Sequence, residues 1–214
     1  MYKDIKLGIV GCGKWGINHI KTAYKLLGEN LIYVCDIDPK KEAIVKNISP
    51  DIKFCNDFSS LMKKTDINSV IIATPAETHY ELSKMCLVNY KNILTEKPLT
   101  LFSSETTNLI EIAEKNKLKI MVGHVLLFHP AIIKLKKLVE QGLIGNIQYI
   151  YSNRLNLGTI RKEENILWSF APHDISIIQF LVGEKPINVH ADGATFVQKN
   201  IEDTTLTYLR YRNN

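Results

Sequence analysis

Short apolar runs alternate with segments of helical periodicity along the first 122 residues of the chain. The apolar runs predict six strands: Leu7 to Val10, Leu31 to Cys35, Ile52 to Phe54, Val70 to Ala73, Ile93 to Leu94 and Ile120 to Val122. The segments between them carry apolar residues at helical spacing, as over 17–27, 40–47, 76–89 and 105–116. Strands that alternate with helices in this way pair in parallel through crossover helices. The pattern therefore predicts a Rossmann-type, doubly wound parallel α/β sheet.

The alternation of apolar runs with helical segments ends near His124. We therefore place a domain boundary there, between residues 1–122 and 123–214. The second part contains predicted helices over 131–141 and 172–182 and predicted strands over 146–155, 187–197 and 204–211. These elements predict an α+β domain with a mixed, largely antiparallel open sheet. Because the last predicted strand has no returning partner, we expect either an incomplete domain in a truncated chain or an unusually small second domain.

Composition excludes several classes of protein. The 214 residues are 45% hydrophobic and 23% charged, as in ordinary globular proteins, which excludes disorder, collagen and coiled coil. No apolar run approaches the roughly 18 residues of a membrane span. The four cysteines form no C-x-x-C pair, which is typical of reduced thiols in the cytoplasm. The diffuse net charge of +5 suits an anionic small ligand better than nucleic acid, and we predict no metal site.

A G-x-G-x-x-G motif, Gly11-Cys12-Gly13-Lys14-Trp15-Gly16, follows the first predicted strand and opens the first predicted helix. In this context Gly11 permits a tight turn, Gly13 lets the backbone approach a pyrophosphate, and Gly16 allows close packing. The helix N-terminus attracts phosphate through its N–H groups and its dipole. Asp36 ends the second predicted strand, where its carboxylate can bind ribose hydroxyls and repel a 2′-phosphate. The motif predicts binding of NAD rather than NADP, with a ligand-free glycine turn as the alternative.

Two further predicted loops lie at the carboxyl edge of the same sheet. Thr74 and Pro75 follow the fourth strand, and together with Glu77 they also fit a simple capping box. His79 lies one turn further along, where a packed histidine is the alternative to a ligand contact. Lys97 ends the fifth strand, where an ammonium group can bind a substrate hydroxyl and stabilise the alkoxide. A solvated surface charge accounts for a lysine at this position equally well.

The periodicity places His173 and Asp174 at the start of the last predicted helix. The positive end of that helix would keep the His173 imidazole neutral, as a general base requires. Asp174 would complement the helix dipole. A structural histidine at a helix start is the alternative.

Taken together, these motifs resemble the glucose–fructose oxidoreductase/inositol dehydrogenase/MocA family of NAD(P)-dependent sugar oxidoreductases, over nearly the whole chain. The matching motifs are Gly11 to Gly16, Asp36, Thr74-Pro75 with His79, Glu96-Lys97-Pro98, Gly123-His124, Pro130 and Pro172-His173-Asp174. The resemblance implies that Lys97 and His173 are catalytic, with His173 as the general base. It also implies that Thr74 and Glu96 line the nicotinamide ribose and that the Lys97–Pro98 peptide is cis.

Three stretches, 123–130, 154–158 and 167–174, are similar to the members that oxidise UDP-N-acetylglucosamine or its uronate at C3. This likeness implies a nucleotide-sugar substrate and a role in amino-sugar and surface-glycan biosynthesis. The substrate-binding residues that it implies are Arg154, Asn156, Arg161, Trp168, His173 and Asp174. Inositol or a simple sugar is the alternative substrate, and a non-catalytic NAD-binding protein is the alternative function.

The chain departs from the family pattern in two ways. Ser169 stands where many members carry an aspartate four residues before the histidine. Relatives also run on for roughly another hundred residues, which complete the sheet that they use for substrate packing and subunit association. The resemblance thus implies a homo-oligomer formed through the C-terminal sheet, and the apparent truncation puts activity in question.

Overall fold

The computed structural model describes residues 4–155 and 165–212. By its internal contacts the chain separates into two compact units, one ending at Gly123 and the other beginning at His124.

Six parallel strands form the sheet of the first unit, which confirms the predicted fold class. The strands are β1 Leu7–Val10, β2 Leu31–Cys35, β3 Lys53–Cys55, β4 Ser69–Ile72, β5 Asn92–Thr95 and β6 Ile120–Val122. Their order across the sheet is β3-β2-β1-β4-β5-β6, the doubly wound order of dinucleotide-binding folds. Each strand lies within one residue of its predicted bounds. The central strands β1 and β2 are the clearest, because strands buried on both faces appear in sequence as continuous apolar runs.

Five α-helices connect these strands: α1 Lys14–Leu27, α2 Lys41–Ile48, α3 Phe58–Met62, α4 His79–Val88 and α5 Ser103–Lys115. Short 3-10 turns over Gly28–Asn30 and Ala76–Thr78 precede β2 and α4. Helix α3 is absent from the predicted elements, because five residues are too few to show a helical period. Its start is fixed by Asp57, whose carboxylate accepts hydrogen bonds from the backbone N–H groups of Ser59 and Ser60.

Two clusters of buried side chains pack on the two faces of the sheet. Helices α1 and α2 contribute Ile20 and Val45 to one cluster. Helices α4 and α5 contribute Leu87 and Leu109 to the other. Adjacent residues of a strand point to opposite faces, so Ile9 and Val10 of β1 belong to different clusters. Both faces are therefore covered, as a parallel sheet requires.

The described residues of the second unit form two α-helices and a two-stranded antiparallel sheet. Its elements are a 3-10 turn over Val125–Phe128, α6 Pro130–Glu140, α7 Ile166–Val182, β7 Asn188–Ala194 and β8 Thr204–Arg210. Strands β7 and β8 pair from Asn188 opposite Arg210 to Ala194 opposite Thr204. Within residues 4–155 and 165–212, no helix has the length and apolar character needed to cross a bilayer.

The strand predicted over 146–155 is wrong, because the structure assigns no strand to this segment. Alternating apolar residues indicate that a backbone is extended, but a strand also needs a second backbone to supply its hydrogen bonds. Among the described residues, the sheet of this unit consists of β7 and β8 alone. Tyr149, Tyr151 and Leu155 accordingly remain exposed.

Helix α7 begins six residues earlier than predicted, at Ile166 instead of Pro172. Asn165 caps it, because its side-chain oxygen accepts a hydrogen bond of 3.1 Å from the backbone N–H of Trp168. Pro172 therefore lies inside the helix, and His173 is its eighth residue. The dipole at a helix end acts only within the first turn, so the predicted dipole effects on His173 and Asp174 are wrong.

Candidate active site

The loops that follow β1, β4 and β5 lie side by side at the carboxyl edge of the parallel sheet. Backbone hydrogen bonds fix their first residues: Ala73 donates to Val10 at 2.8 Å, and Glu96 donates to Ile72 at 2.9 Å. Strands β1 and β4 are neighbours in the sheet although β2 and β3 intervene in sequence. This is the point where the strand order reverses, and ligands of such folds bind in the crevice there.

The glycine motif forms the loop between β1 and α1. Gly11 has a φ of +95°, and a Cβ on it would lie 2.6 Å from the carbonyl oxygen of Ala73. A Cβ on Gly16 would collide with the carbonyl group of Gly11. At Gly13, by contrast, no atom lies within 4 Å of the Cβ position. The loop is therefore closed on its inner side by close backbone packing and open at Gly13.

The N-terminus of α1 carries no negative charge of its own. Its N-cap, Gly13, has no side chain to bond the first N–H groups, and its first turn contains no acidic residue. The first N–H groups of a helix have no intrahelical partner and attract phosphate. Lys14 and Trp15 are exposed on this turn. The loop and the helix start therefore fit the pyrophosphate of a dinucleotide.

Asp36 lies beside the glycine loop and is oriented by two backbone groups. One carboxylate oxygen accepts a hydrogen bond of 2.5 Å from the N–H of Cys12, and the other accepts one of 2.9 Å from the N–H of Asp38. Each oxygen retains a lone pair that can accept a further hydrogen bond. The carboxylate is half-buried. It is thus rigidly held and able to bind a ribose diol.

The predicted capping box at Thr74 does not form. The Thr74 hydroxyl lies 2.7 Å from the hydroxyl of Thr78. The 3-10 turn over Ala76–Thr78 begins after Pro75 and has no side-chain cap. Thr74 is half-buried and Pro75 is exposed at the edge of the sheet.

His79 is fully buried and bridges two loops. Its Nδ1 lies 2.6 Å from the carbonyl oxygen of Pro98, and its Nε2 lies 2.9 Å from that of Thr74. Only 1% of its surface is exposed. The expectation that His79 contacts the cofactor is corrected, because both ring nitrogens face backbone carbonyls. We assign it a positioning role between the loops that follow β4 and β5.

Glu96 connects three parts of the site. Its Oε1 lies 2.7 Å from Nε2 of His19 on α1. Its Oε2 accepts a hydrogen bond of 3.3 Å from the backbone N–H of Lys97, and a Cβ on Gly123 would lie 2.9 Å from that oxygen. Burial by itself would raise the pKa of Glu96, but the hydrogen bonds and charges of His19 and Lys97 together outweigh it and hold that pKa below its usual value. The Lys97–Pro98 peptide is cis, as the resemblance implies.

His19 is a residue of the site that the sequence motifs do not predict. It lies three residues after Gly16 on α1, which is one helical turn beyond the glycine motif. That spacing places it on the face of α1 that Gly16 packs against the sheet edge. Its position one turn after the glycine motif is the only sequence feature that indicates a place in the site. A single histidine on a helix has no other residue nearby in sequence that would mark it as functional.

In the second unit, two predicted substrate-binding residues pair with each other. The Arg154 guanidinium donates to Asp174 through Nε at 2.7 Å and through Nη2 at 3.1 Å. The Ser152 hydroxyl donates to Asp174 at 2.9 Å. Burial would raise the pKa of Asp174, but these hydrogen bonds lower it. The bidentate pair therefore joins the segment before residue 155 to α7, directly after His173.

The remaining predicted substrate residues divide into two groups. Trp168 is exposed on α7, and His173 is half-buried on the same helix. Asn156 and Arg161 lie outside the described residues.

Two family models match the chain. One describes an oxidoreductase family with an NAD-binding Rossmann fold and matches residues 5–124. The other describes the GFO/IDH/MocA C-terminal domain and matches residues 132–214. The chain belongs to the GFO/IDH/MocA oxidoreductase family. Its first unit is the NAD-binding Rossmann domain of that family, in agreement with the loop geometry at Gly13 and Asp36.

Several GFO/IDH/MocA relatives are similar over nearly the whole chain. The inositol 2-dehydrogenase of Rhizobium meliloti is 26% identical over 205 residues, which are 93% of this chain and 61% of that protein. The UDP-N-acetylglucosamine 3-dehydrogenase of Acidithiobacillus ferrooxidans is 25% identical, with a TM-score of 0.82 over 95% of this chain and 64% of its own.

A third relative, the scyllo-inositol dehydrogenase of Lactobacillus casei solved with NAD(H) and scyllo-inositol, shares the fold. It is 22% identical, with a TM-score of 0.73 over 91% of this chain and 61% of its own. The chain thus spans a little over three fifths of the length of these relatives.

The contact between His19 and Glu96 predicts a pH-dependent contribution to stability. Because folding lowers the pKa of Glu96, its stabilisation is complete above the ordinary value of 4.5 and is lost as the pH falls through the lower value of the folded protein. We expect the free energy of unfolding, measured by urea titration between pH 5 and pH 3, to fall more steeply in the wild type than in Glu96→Gln. A single proton limits the difference to about 1.4 kcal/mol per pH unit.

Replacement of the exposed Glu77 by Gln is the matched control and should leave the wild-type slope unchanged. Equal slopes for the wild type and Glu96→Gln would contradict the proposed contribution of the contact with His19.

Proposed function

We propose that this protein is an NAD-dependent oxidoreductase that oxidises a secondary hydroxyl of a sugar to a ketone. The reacting position in this proposal is C3 of a nucleotide sugar of the UDP-N-acetylglucosamine type. The observation that carries the proposal is the placement of Lys97 at the carboxyl end of β5. There its backbone N–H is held by Glu96, beside the loops that follow β1 and β4. Membership of an oxidoreductase family with an NAD-binding Rossmann fold supports the reaction class.

The cofactor is held in this proposal by groups at the carboxyl edge of the sheet. The glycine loop and the start of α1 bind the pyrophosphate, and Asp36 binds the adenosine ribose. The residues proposed to complete the cofactor site are Lys14, Trp15, Thr74, Pro75, Glu96 and Lys97. NAD, when bound, accepts a hydride from the reacting carbon of the substrate. The negative charge of Asp36 disfavours a 2′-phosphate, so NAD is the proposed cofactor rather than NADP.

Lys97 acts on the oxygen of the hydroxyl that is oxidised. Its ammonium group donates a hydrogen bond to that oxygen and stabilises the negative charge that develops as the proton leaves. The position of the lysine is defined by its neighbours: Glu96 bonds its backbone N–H, and His79 bonds the carbonyl of Pro98. Two buried or half-buried contacts thus orient the loop that carries the ammonium group.

His173 is the proposed general base that accepts the hydroxyl proton. This role comes from the family resemblance. It is supported by the location of His173 in the middle of α7, where the backbone around it is held by neighbouring contacts. The helix around it is anchored by the bidentate contact between Asp174 and Arg154, which limits the freedom of the adjacent turn. Trp168, Asn156 and Arg161 are proposed to contact the substrate on the same resemblance.

Two relatives support different substrates. Similarity to the UDP-N-acetylglucosamine 3-dehydrogenase, at a TM-score of 0.82, supports the nucleotide sugar and a role in amino-sugar and surface-glycan biosynthesis. The identity of 26% with an inositol 2-dehydrogenase supports inositol as the second candidate. We also propose that the protein acts in the cytoplasm and associates with copies of itself through the C-terminal sheet.

Replacing Lys97 by Ala should reduce turnover by roughly 10²- to 10⁴-fold, the usual loss when a positioned proton-transfer group is removed. NAD affinity, measured by calorimetry, should change little, because the pyrophosphate and the adenosine ribose are bound by other residues of the proposed cofactor site. Lys115→Ala, which removes an exposed lysine at the end of α5, is the control. Turnover equal to that of the wild type in Lys97→Ala would contradict the catalytic role of Lys97, and loss of NAD binding would indicate a structural role for it. A wild type that binds NAD but turns over no substrate would support a non-catalytic NAD-binding protein.

Replacing Asp36 by Ser should weaken NAD binding by roughly 10- to 100-fold, the range expected when hydrogen bonds to a charged group are lost. Affinity for NADP should change less or increase, because the repulsion of the 2′-phosphate is removed. Calorimetric titration with both nucleotides measures the ratio of the two affinities. Asp38→Ser is the matched control, since the Asp38 carboxylate bonds only the turn before α2 in the described structure. An unchanged ratio in Asp36→Ser would refute the role of Asp36.

A further inference from the structure

Two cysteines end neighbouring parallel strands directly behind the nucleotide site. Cys35 is the last residue of β2, Cys55 is the last residue of β3, and the two are partners in the register of the sheet. Paired strands lie about 4.8 Å apart, which is within the Cα separation of roughly 4.4–6.8 Å that a disulfide spans. Both side chains belong to the same apolar cluster and hence to the same face of the sheet.

The two thiols differ in reactivity. The Cys35 thiol donates a hydrogen bond to the sulfur of Cys55, and the backbone N–H of Asp57 and the ammonium of Lys64 also favour the thiolate form of Cys55. These groups lower the pKa of Cys55 against the opposing effects of burial and the Asp57 carboxylate. The same hydrogen bond, together with burial, raises the pKa of Cys35. Cys55 is therefore the more nucleophilic thiol.

Accessibility follows the same order. Cys55 is half-buried on the edge strand of the sheet, whereas only 2% of the surface of Cys35 is exposed. A small oxidant can reach Cys55, and the buried Cys35 lies next to it as a resolving thiol. Cys86 provides a contrast, because burial raises its pKa to about 12 and it lies in the core on α4.

The backbone connects this cysteine pair to the nucleotide site. The N–H of Asp36 donates to the carbonyl of Cys55 at 3.1 Å, and the N–H of Gly11 donates to the carbonyl of Cys35 at 2.9 Å. The Asp36 carboxylate in turn holds the N–H of Cys12 in the glycine loop. A change in the separation of the two strand ends therefore displaces the group that binds the ribose.

We propose that Cys35 and Cys55 form a reversible disulfide when the protein meets a hydroperoxide, and that this disulfide weakens NAD binding. The coupling to NAD rests on the proposed role of Asp36. Formation of the disulfide does not depend on the role of Asp36. An experiment can therefore refute the disulfide or its effect on NAD binding independently.

The chemistry is a two-electron oxidation of the dithiol by the peroxide. The Cys55 thiolate attacks one peroxide oxygen, the O–O bond breaks, and the departing oxygen leaves as water after taking a proton. Cys35 then loses its proton and attacks the sulfur of the Cys55 sulfenic acid, which forms the S–S bond and breaks the S–O bond with release of a second water. One hydrogen peroxide is reduced to two waters for each disulfide, and a thiol reductant reverses the reaction.

Peptide mapping tests the disulfide directly. Trypsin places the four cysteines on separate peptides, over 7–14, 26–40, 54–63 and 85–91. After treatment of the native protein with hydrogen peroxide and alkylation of the remaining thiols, we expect a linked pair of peptides 26–40 and 54–63. The link should be absent in Cys35→Ser and in Cys55→Ser, and present in Cys86→Ser, the matched control.

Calorimetry with NAD tests the consequence. The oxidised protein should bind NAD about tenfold more weakly than the reduced protein, and dithiothreitol should restore the affinity. Because coupling between two sites is reciprocal, saturating NAD should lower the equilibrium constant for disulfide formation in a thiol–disulfide buffer by the same factor.

Each result decides one part of the proposal. A disulfide that includes Cys12 or Cys86, or no disulfide at all, overturns the assignment of the pair. The expected disulfide with unchanged NAD affinity overturns the coupling to the nucleotide site. Failure of the reduced wild type to bind NAD would count against the proposed function, and the peptide map would still stand or fall on its own.

Discussion

Parallel pairing of β1 with β4 is the constraint on which the site depends. It places two strands that are distant in sequence next to each other. Strands β2 and β3 are added on one side of β1, and β4, β5 and β6 are added on the other side. The loops after β1 and β4 therefore lead to helices on opposite faces of the sheet, α1 on one face and α4 on the other, and ligands of such folds bind between these loops. At Gly11 and Gly16 the backbone of the glycine loop packs so closely against its neighbours that a Cβ atom would not fit. The space next to Gly13 is open, and the N-terminus of α1, which has no side-chain cap, begins there.

Polar contacts between loops then define where Lys97 lies. His79 bridges the carbonyls of Thr74 and Pro98, and Glu96 joins the Lys97 backbone to His19 on α1. These partners come from four different elements, so the position of one ammonium group depends on the packing of the whole first unit. Buried polar contacts of this kind specify one arrangement of loops, because leaving any partner unpaired in the interior is costly.

The sequence predicted the first unit well and the second unit less well, for physical reasons. Strands such as β1 are buried on both faces and appear as apolar runs, and a glycine motif between a strand and a helix strongly indicates a nucleotide-binding loop. The segment 146–155 shows alternation, which indicates an extended backbone but not a pairing partner. Pro172 resembles a first helical residue, whereas the cap is Asn165. The contact between Arg154 and Asp174 joins residues 20 apart and leaves no local pattern.

In the proposed reaction, a hydride leaves C3 of a sugar and is transferred directly to NAD. The most direct measurement uses UDP-N-acetylglucosamine carrying deuterium at C3, with NAD and the purified protein, followed by mass spectrometry of the reduced nucleotide. We expect the reduced nucleotide to carry the deuterium. Reduced nucleotide without deuterium would contradict the proposed reaction at this carbon. So would reduced nucleotide that forms with myo-inositol but not with the nucleotide sugar.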